Sequence, residues 1–115
     1  MRSNAILVKS FDFALRIIQL SRRIREQREF VISDQLLKAG TSIGAQVEEA
    51  QAGQSRKDFV AKMAIASKEA RETRYWLRLV KGSGIAGVDV EKELQDVEEL
   101  IRIITAIVKT ASSAR

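Results

Sequence analysis

Residues 68–81 read KEARETRYWLRLVK and hold the chain's only Trp and only Tyr among arginines, lysines and two glutamates. Two kinds of chemistry are open to such a stretch. Glu69 and Glu72, with Glu48 and Glu49 upstream, are carboxylates that two neighbouring helices could turn toward one another. Helical bundles hold paired metals with such carboxylates plus Glu-x-x-His pairs. The chain has no His, which excludes that site and leaves only an all-carboxylate Mg²⁺ or Ca²⁺ site. The more ordinary fate of these acids is pairing with Lys and Arg across helices or subunits. Without His or Cys, neither a Ser–His nor a Cys–His nucleophile can be assembled, and no thiolate can bind metal. The run GSGIAG (82–87) lacks the Lys-Ser/Thr and the preceding strand of a phosphate loop, so it reads as a turn. The sequence predicts no catalytic residue, no metal and no cofactor, and therefore a protein that is not an enzyme.

The second chemistry is polyanion binding. Arg71, Arg74, Arg78 and Lys81 recur at three- and four-residue steps. On a helix they form one line of about 15 Å, which extends back through Ser67, Ala64 and Val60 to Lys57. The line is offset by one residue, about 100°, from the apolar row of the same segment, so it meets solvent or a partner. Arg16, Arg22, Arg23 and Arg25 form a second basic group, with Arg28 just beyond. A cation near a helix C-terminus is also favoured by the macrodipole, so this group has a purely structural explanation as well. Arginine suits phosphate and carboxylate equally, and phosphate binding would be strongly salt-dependent. No base-reading motif is present. Trp76 falls at the edge of the apolar stripe, as a core or subunit seam, with base stacking the sharper alternative. Tyr75 points further out, toward a subunit interface or a cation–π contact with Arg71 or Arg78.

The elements that carry these residues are helices. There is no Pro, and Gly falls at a few places. Apolar residues alternate at spacings of three and four: Phe13, Ile17, Leu20 and Ile24; then Leu36, Gly40, Ile43, Val47 and Ala50; then Phe59, Met63, Ala66, Ala70, Thr73, Leu77 and Val80; then Val90, Leu94, Val97, Ile101, Ile104, Val108 and Ala111. Ser33 reads as an N-cap with Ile32 and Leu37 as a hydrophobic staple, and Ser55 with Asp58 as a capping box. Gly53 and Gly82-Ser83-Gly84 end the second and third segments, and Asp89 caps the fourth. The reading is an all-α protein: an up-down-up-down, antiparallel, left-handed four-helix bundle in one domain over 1–115, with helices at about 4–27, 34–52, 56–81 and 90–112. The last five residues are expected to fray.

Two features bear on assembly. Phe11, Leu15 and Ile18 add a second apolar row to the first helix, and Leu100, Ile103 and Ile107 add one to the fourth. One stripe suffices for a monomeric bundle, so surplus rows point to burial by another subunit, or else to a broad stripe in one core. Gly40 and Gly44, four apart inside the second helix, point to close approach of another helix, since glycine there costs about 1 kcal/mol.

The net charge is +5, and it is uneven: +4 over 1–30, −2 over 31–54, +5 over 55–82 and −2 over 83–115. That pattern makes either a basic face for polyanions or basic segments packed beside acidic ones. No apolar run approaches the roughly 20 residues that span a bilayer, and a cytoplasmic protein without a membrane role is expected.

Three blocks of the sequence resemble a family. They are Gln35-Leu36-Leu37-Lys38-Ala39-Gly40-Thr41-Ser42-Ile43-Gly44-Ala45-Gln46-Val47-Glu48-Glu49-Ala50, then Ser55-Arg56-Lys57-Asp58-Phe59, then Ile65-Ala66-Ser67-Lys68-Glu69-Ala70-Arg71-Glu72-Thr73-Arg74-Tyr75-Trp76-Leu77. They are similar to the small helical proteins encoded by intervening sequences in bacterial large-subunit ribosomal RNA genes, a family that also resembles the accessory variability determinant of diversity-generating retroelements. Gln46 stands where Asn is usual, and Ala39 where a second basic residue is common. The resemblance implies a homo-oligomer, a pentamer of bundles; on the helix-face reading, Trp76, Tyr75, Glu69 and Glu72 join the apolar rows as expected interface residues. For the retroelement relatives it implies binding of a reverse transcriptase and its template RNA through a basic surface. The functional expectation is a non-enzymatic, oligomeric module that binds RNA or DNA non-specifically or by shape. The alternative is a protein-interaction scaffold whose basic residues form intersubunit ion pairs.

Overall fold

The computed structural model describes residues 4–85 and 87–113. Four helices follow one another: α1 (Asn4–Glu26), α2 (Phe30–Gln51), α3 (Arg56–Ser83) and α4 (Glu91–Ser113). Each packs on its two neighbours around a ring, α1 on α2, α2 on α3, α3 on α4 and α4 back on α1, and the bundle is elongated, 50 × 21 × 20 Å. Cross-helix pairs fix the antiparallel sense. Lys9 meets Glu99 while Arg16 meets Asp96 across α1 and α4. Arg74 meets Glu98 while Lys81 meets Glu91 across α3 and α4. No helix among the described residues is long and apolar enough to cross a membrane.

The 3–4 spacing read from the sequence becomes the core. Phe13, Ile17, Leu20 and Ile24 of α1, Leu36, Ile43 and Val47 of α2, Met63, Ala66, Ala70 and Leu77 of α3, and Val97, Leu100 and Ile104 of α4 are all buried. Gly40 and Gly44 face α1. A β-carbon on Gly40 would lie 2.7 Å from Ile17 Cγ2, and one on Gly44 would lie 3.4 Å from the Ser10 carbonyl oxygen. The missing side chain at Gly40 lets α1 and α2 close on each other, whereas at Gly44 a β-carbon would make only an ordinary contact.

The caps hold at α3 and α4. Ser55 Oγ accepts from the Asp58 amide at 3.1 Å, and the Asp58 carboxylate in turn accepts from the Gln54 amide at 3.4 Å. Aspartate, one methylene shorter than the usual glutamate, reaches one residue before the cap. Asp89 Oδ1 accepts from the Glu91 amide at 3.0 Å. Gly84, at φ 71°, ends α3 in the left-handed conformation that favours glycine.

The start of α2 departs from expectation. The Glu29 amide bonds the Ile24 carbonyl oxygen and the Arg28 amide bonds that of Arg25, with Arg28 at φ 65° between them. This is a Schellman closure with arginine in the glycine position. It turns the chain within three residues, and α2 restarts at Phe30 rather than at 34. Ser33 is therefore no N-cap. It is buried inside α2, and its hydroxyl donates to the Ser21 carbonyl oxygen of α1 at 2.9 Å. Ile32 and Leu37 consequently form no staple: both lie within the helix, Ile32 packed on the core and Leu37 exposed. At the other end α4 continues to Ser113, so residues 111–113 are helical; residues 114–115 lie outside the described ones.

Candidate nucleic-acid interface

The basic line of α3 lies beside α4, because Arg74 and Lys81 reach across to it. Arg74 Nη1 lies 3.3 Å from Glu98 Oε1, and Lys81 Nζ lies 2.6 Å from Glu91 Oε2. Both pairs are solvated, and such pairs contribute about 0–1 kcal/mol. They are weak enough to be exchanged for another anion. Arg71 donates to Ser67 Oγ at 2.8 Å, and Arg78 makes no ion pair among the described residues.

The antiparallel packing adds residues that sequence reasoning missed. Along α4 the row facing α3 runs Glu91, Glu98, Arg102, Thr105 and Lys109, at helical spacing. Its acids lie at the N-terminal end and its cations at the C-terminal end. Because α4 runs against α3, the acids meet Arg74 and Lys81 while Arg102 comes level with Arg71, and Lys109 with Ala64, about one turn before Ser67. One half of the seam is compensated and the other half is purely cationic. The signal was present in the spacing of Arg102, Thr105 and Lys109, but it acquires meaning only once α4 is known to lie beside α3.

The α1 arginines divide between two neighbouring helices. Arg16 turns to α4 and pairs with Asp96 at 3.4 Å. Arg25 turns to α2, pairing with Asp34 at 3.1 Å and lying 4.9 Å from the Phe30 ring centre. Arg22 and Arg23, adjacent in sequence, point about 100° apart, and neither makes an ion pair among the described residues.

The expected interface residues separate into two groups. On α1, Phe11 is 59% and Leu15 47% exposed, with Ile18 half-buried, so this row does present apolar surface. On α4 the second row is not surplus. Leu100 is 1% exposed and belongs to the core, and Ile103 and Ile107 pack against it. The physical reason is the closed ring: α4 must cover both α3 and α1, so its stripe is broad. Other exposed apolar residues escaped the sequence reading, among them Val8, Val31 and Ile65.

Trp76 packs against the core from a half-buried position, and its indole N–H donates to Glu72 Oε2 at 3.2 Å. Tyr75 is exposed and meets Trp76 edge-on at 5.4 Å, not Arg71 or Arg78. Among the described residues the cation–π contacts go to Phe30, from Arg25 and Arg28. Glu69, half-buried, sits one turn before Thr73, whose hydroxyl bonds the Glu69 carbonyl oxygen at 2.7 Å. Glu48, Glu49, Glu69 and Glu72 do not gather: among the described residues no three acids lie together as metal ligands.

Comparisons with known proteins follow the same outline. The family described as 23S rRNA-intervening sequence protein matches residues 2–106. A solved structure from Bacteroides thetaiotaomicron, described as a protein with unknown function from the S23 ribosomal protein family, is 43% identical, with a TM-score of 0.86 over 95% of this chain and 99% of that one. No curated protein matches the chain.

Proposed function

The chain belongs to the 23S rRNA-intervening sequence protein family, and from that premise we propose that it is a non-enzymatic, homo-oligomeric module that binds RNA through the α3–α4 face. The observation that carries this is the charge balance of the seam. Of Arg71, Arg74, Arg78 and Lys81 on α3 and Arg102 and Lys109 on α4, only Arg74 and Lys81 pair with a carboxylate among the described residues, Glu98 and Glu91. The excess is greatest where no carboxylate lines the groove among the described residues. A face of this kind attracts a phosphate backbone without reading bases.

The exposed row of Phe11 and Leu15 supports self-association, with a pentamer as the proposed state. A reverse transcriptase as protein partner is proposed on the sequence resemblance alone. The alternative, a scaffold whose arginines bind neighbouring subunits, loses support from Arg74 and Lys81, which find carboxylates within their own subunit. The test is fluorescence anisotropy with single-stranded RNA across a salt series. Binding at low salt that is lost near about 0.5 M is expected from several phosphate contacts. Absence of binding at every salt concentration overturns the reading.

A further inference from the structure

Two clefts flank α4, and they differ in character. The one against α1, about 190 Å³, is lined by Lys9, Asp12, Arg16, Lys92, Asp96 and Glu99, whose charges balance and cross-pair. The one against α3, about 330 Å³, is lined by Ala64, Ser67, Arg71, Thr105, Val108 and Lys109. It has two cations, two hydroxyls, an apolar floor and no carboxylate.

Among the described residues neither hydroxyl there donates to a backbone carbonyl oxygen, a state shared by Ser21. Ser10, Thr41, Ser42, Thr73 and Ser83 each donate to a carbonyl oxygen three or four residues earlier, the usual fate of a hydroxyl inside a helix. Ser67 only accepts, from Arg71 Nη1, and Thr105 makes no hydrogen bond among the described residues. Ser67 is mostly buried but lines the groove, which is the open side left to its proton. Both hydroxyls are left with a proton to donate into the groove.

We propose that this groove seats one phosphate group of an RNA backbone, an assignment that rests on the RNA-binding reading above. The Arg71 guanidinium and the Lys109 ammonium supply the charge, and the Ser67 and Thr105 hydroxyls donate to the remaining phosphate oxygens. Ala64 and Val108 offer apolar surface to the carbons of the attached ribose. The volume is at the lower end of small-ligand sites, enough for a phosphate and its sugar and too small for a folded RNA element. Arginine anchored by Ser67 is held before the anion arrives, which lowers the ordering cost of binding.

The experiment has two arms. In the first, a short oligouridylate is titrated by anisotropy over a salt series against wild type and three variants, Arg71→Gln, Lys109→Gln and Thr105→Val. All three positions accept the change on folding grounds, because Arg71, Lys109 and Thr105 are exposed. Each charge removal is expected to lower the salt slope by at most about 0.7, and the two together by no more than that, since both cations hold the same phosphate. Thr105→Val is expected to weaken binding about fivefold with the slope unchanged, as loss of one hydrogen bond to an anion. In the second arm, inorganic phosphate is titrated while the amide resonances of Ser67 and Thr105 are followed by NMR. Wild-type RNA binding that all three variants retain unchanged overturns the seat and leaves the RNA-binding reading standing. No RNA binding by wild type overturns both, and a phosphate response without RNA binding reassigns the groove to a small free anion, against the proposal.

Discussion

Replacing Gly40 with Ala tests the account of how α1 and α2 are brought together. Glycine to alanine inside a helix ordinarily stabilises by about 1 kcal/mol. At Gly40 the new β-carbon would lie 2.7, 2.8 and 3.1 Å from Cγ2, Cγ1 and Cβ of Ile17, which is fully buried. Ile17 has no solvent side to retreat to, and such overpacking costs about 1–3 kcal/mol. The net expectation for Gly40→Ala is a destabilisation of about 1 kcal/mol. Gly44→Ala is the internal control: its β-carbon would meet Ser10 at 3.4 Å, an ordinary contact, so the helix propensity gain should survive. The two variants, one turn apart in the same helix, should differ by about 2 kcal/mol, or about 1 M in urea midpoint at fixed protein concentration. A cycle with Ile17→Ala sharpens this. That change alone costs about 2–5 kcal/mol, but it removes two of the three crowding atoms, so Gly40→Ala in its background should turn neutral or stabilising. Equal midpoints for Gly40→Ala and Gly44→Ala, or no coupling to Ile17, would refute the reasoning.

Arg28→Gly relieves the left-handed backbone at the Schellman turn and is expected to stabilise by about 0.5–1 kcal/mol, seen as a rise in Tm, although the contact with Phe30 is lost. Ser33→Ala deletes a buried bond to the Ser21 carbonyl oxygen and should cost about 1 kcal/mol in urea unfolding. Ser55→Ala removes the α3 cap and should cost about 1 kcal/mol by the same measurement. Phe11→Ser with Leu15→Ser should lower the mass seen by light scattering while leaving the helical circular dichroism intact. An unchanged mass would remove that row from any interface.

The helices and their buried stripes were legible because the 3–4 spacing of apolar residues is a direct consequence of helical geometry, and burial simply selects that face. The Ser55–Asp58 cap was legible for a similar reason: its partners are three residues apart. Ser33 misled because the same residue type that caps a helix also donates well across a helix pair, and the turn that decided between them rests on an arginine in a conformation that sequence associates with glycine. Leu100 misled because one helix read alone does not reveal how many neighbours it must cover. The cationic seam was half legible. Arg71, Arg74, Arg78 and Lys81 stood out as a line, but their compensation by Glu91 and Glu98, and their extension by Arg102 and Lys109, depend on which helix lies alongside and in which direction.

The most direct test of the α3–α4 face as the RNA-binding surface is a comparison of two charge reversals in one RNA titration at low salt. One is Arg71→Glu, Arg78→Glu and Arg102→Glu on the seam; the other is Arg22→Glu and Arg23→Glu on α1. The account predicts that the seam reversal abolishes binding while the α1 reversal keeps most of it, with both variants folded and of wild-type mass. Loss of binding on the α1 reversal together with its survival on the seam reversal would contradict it.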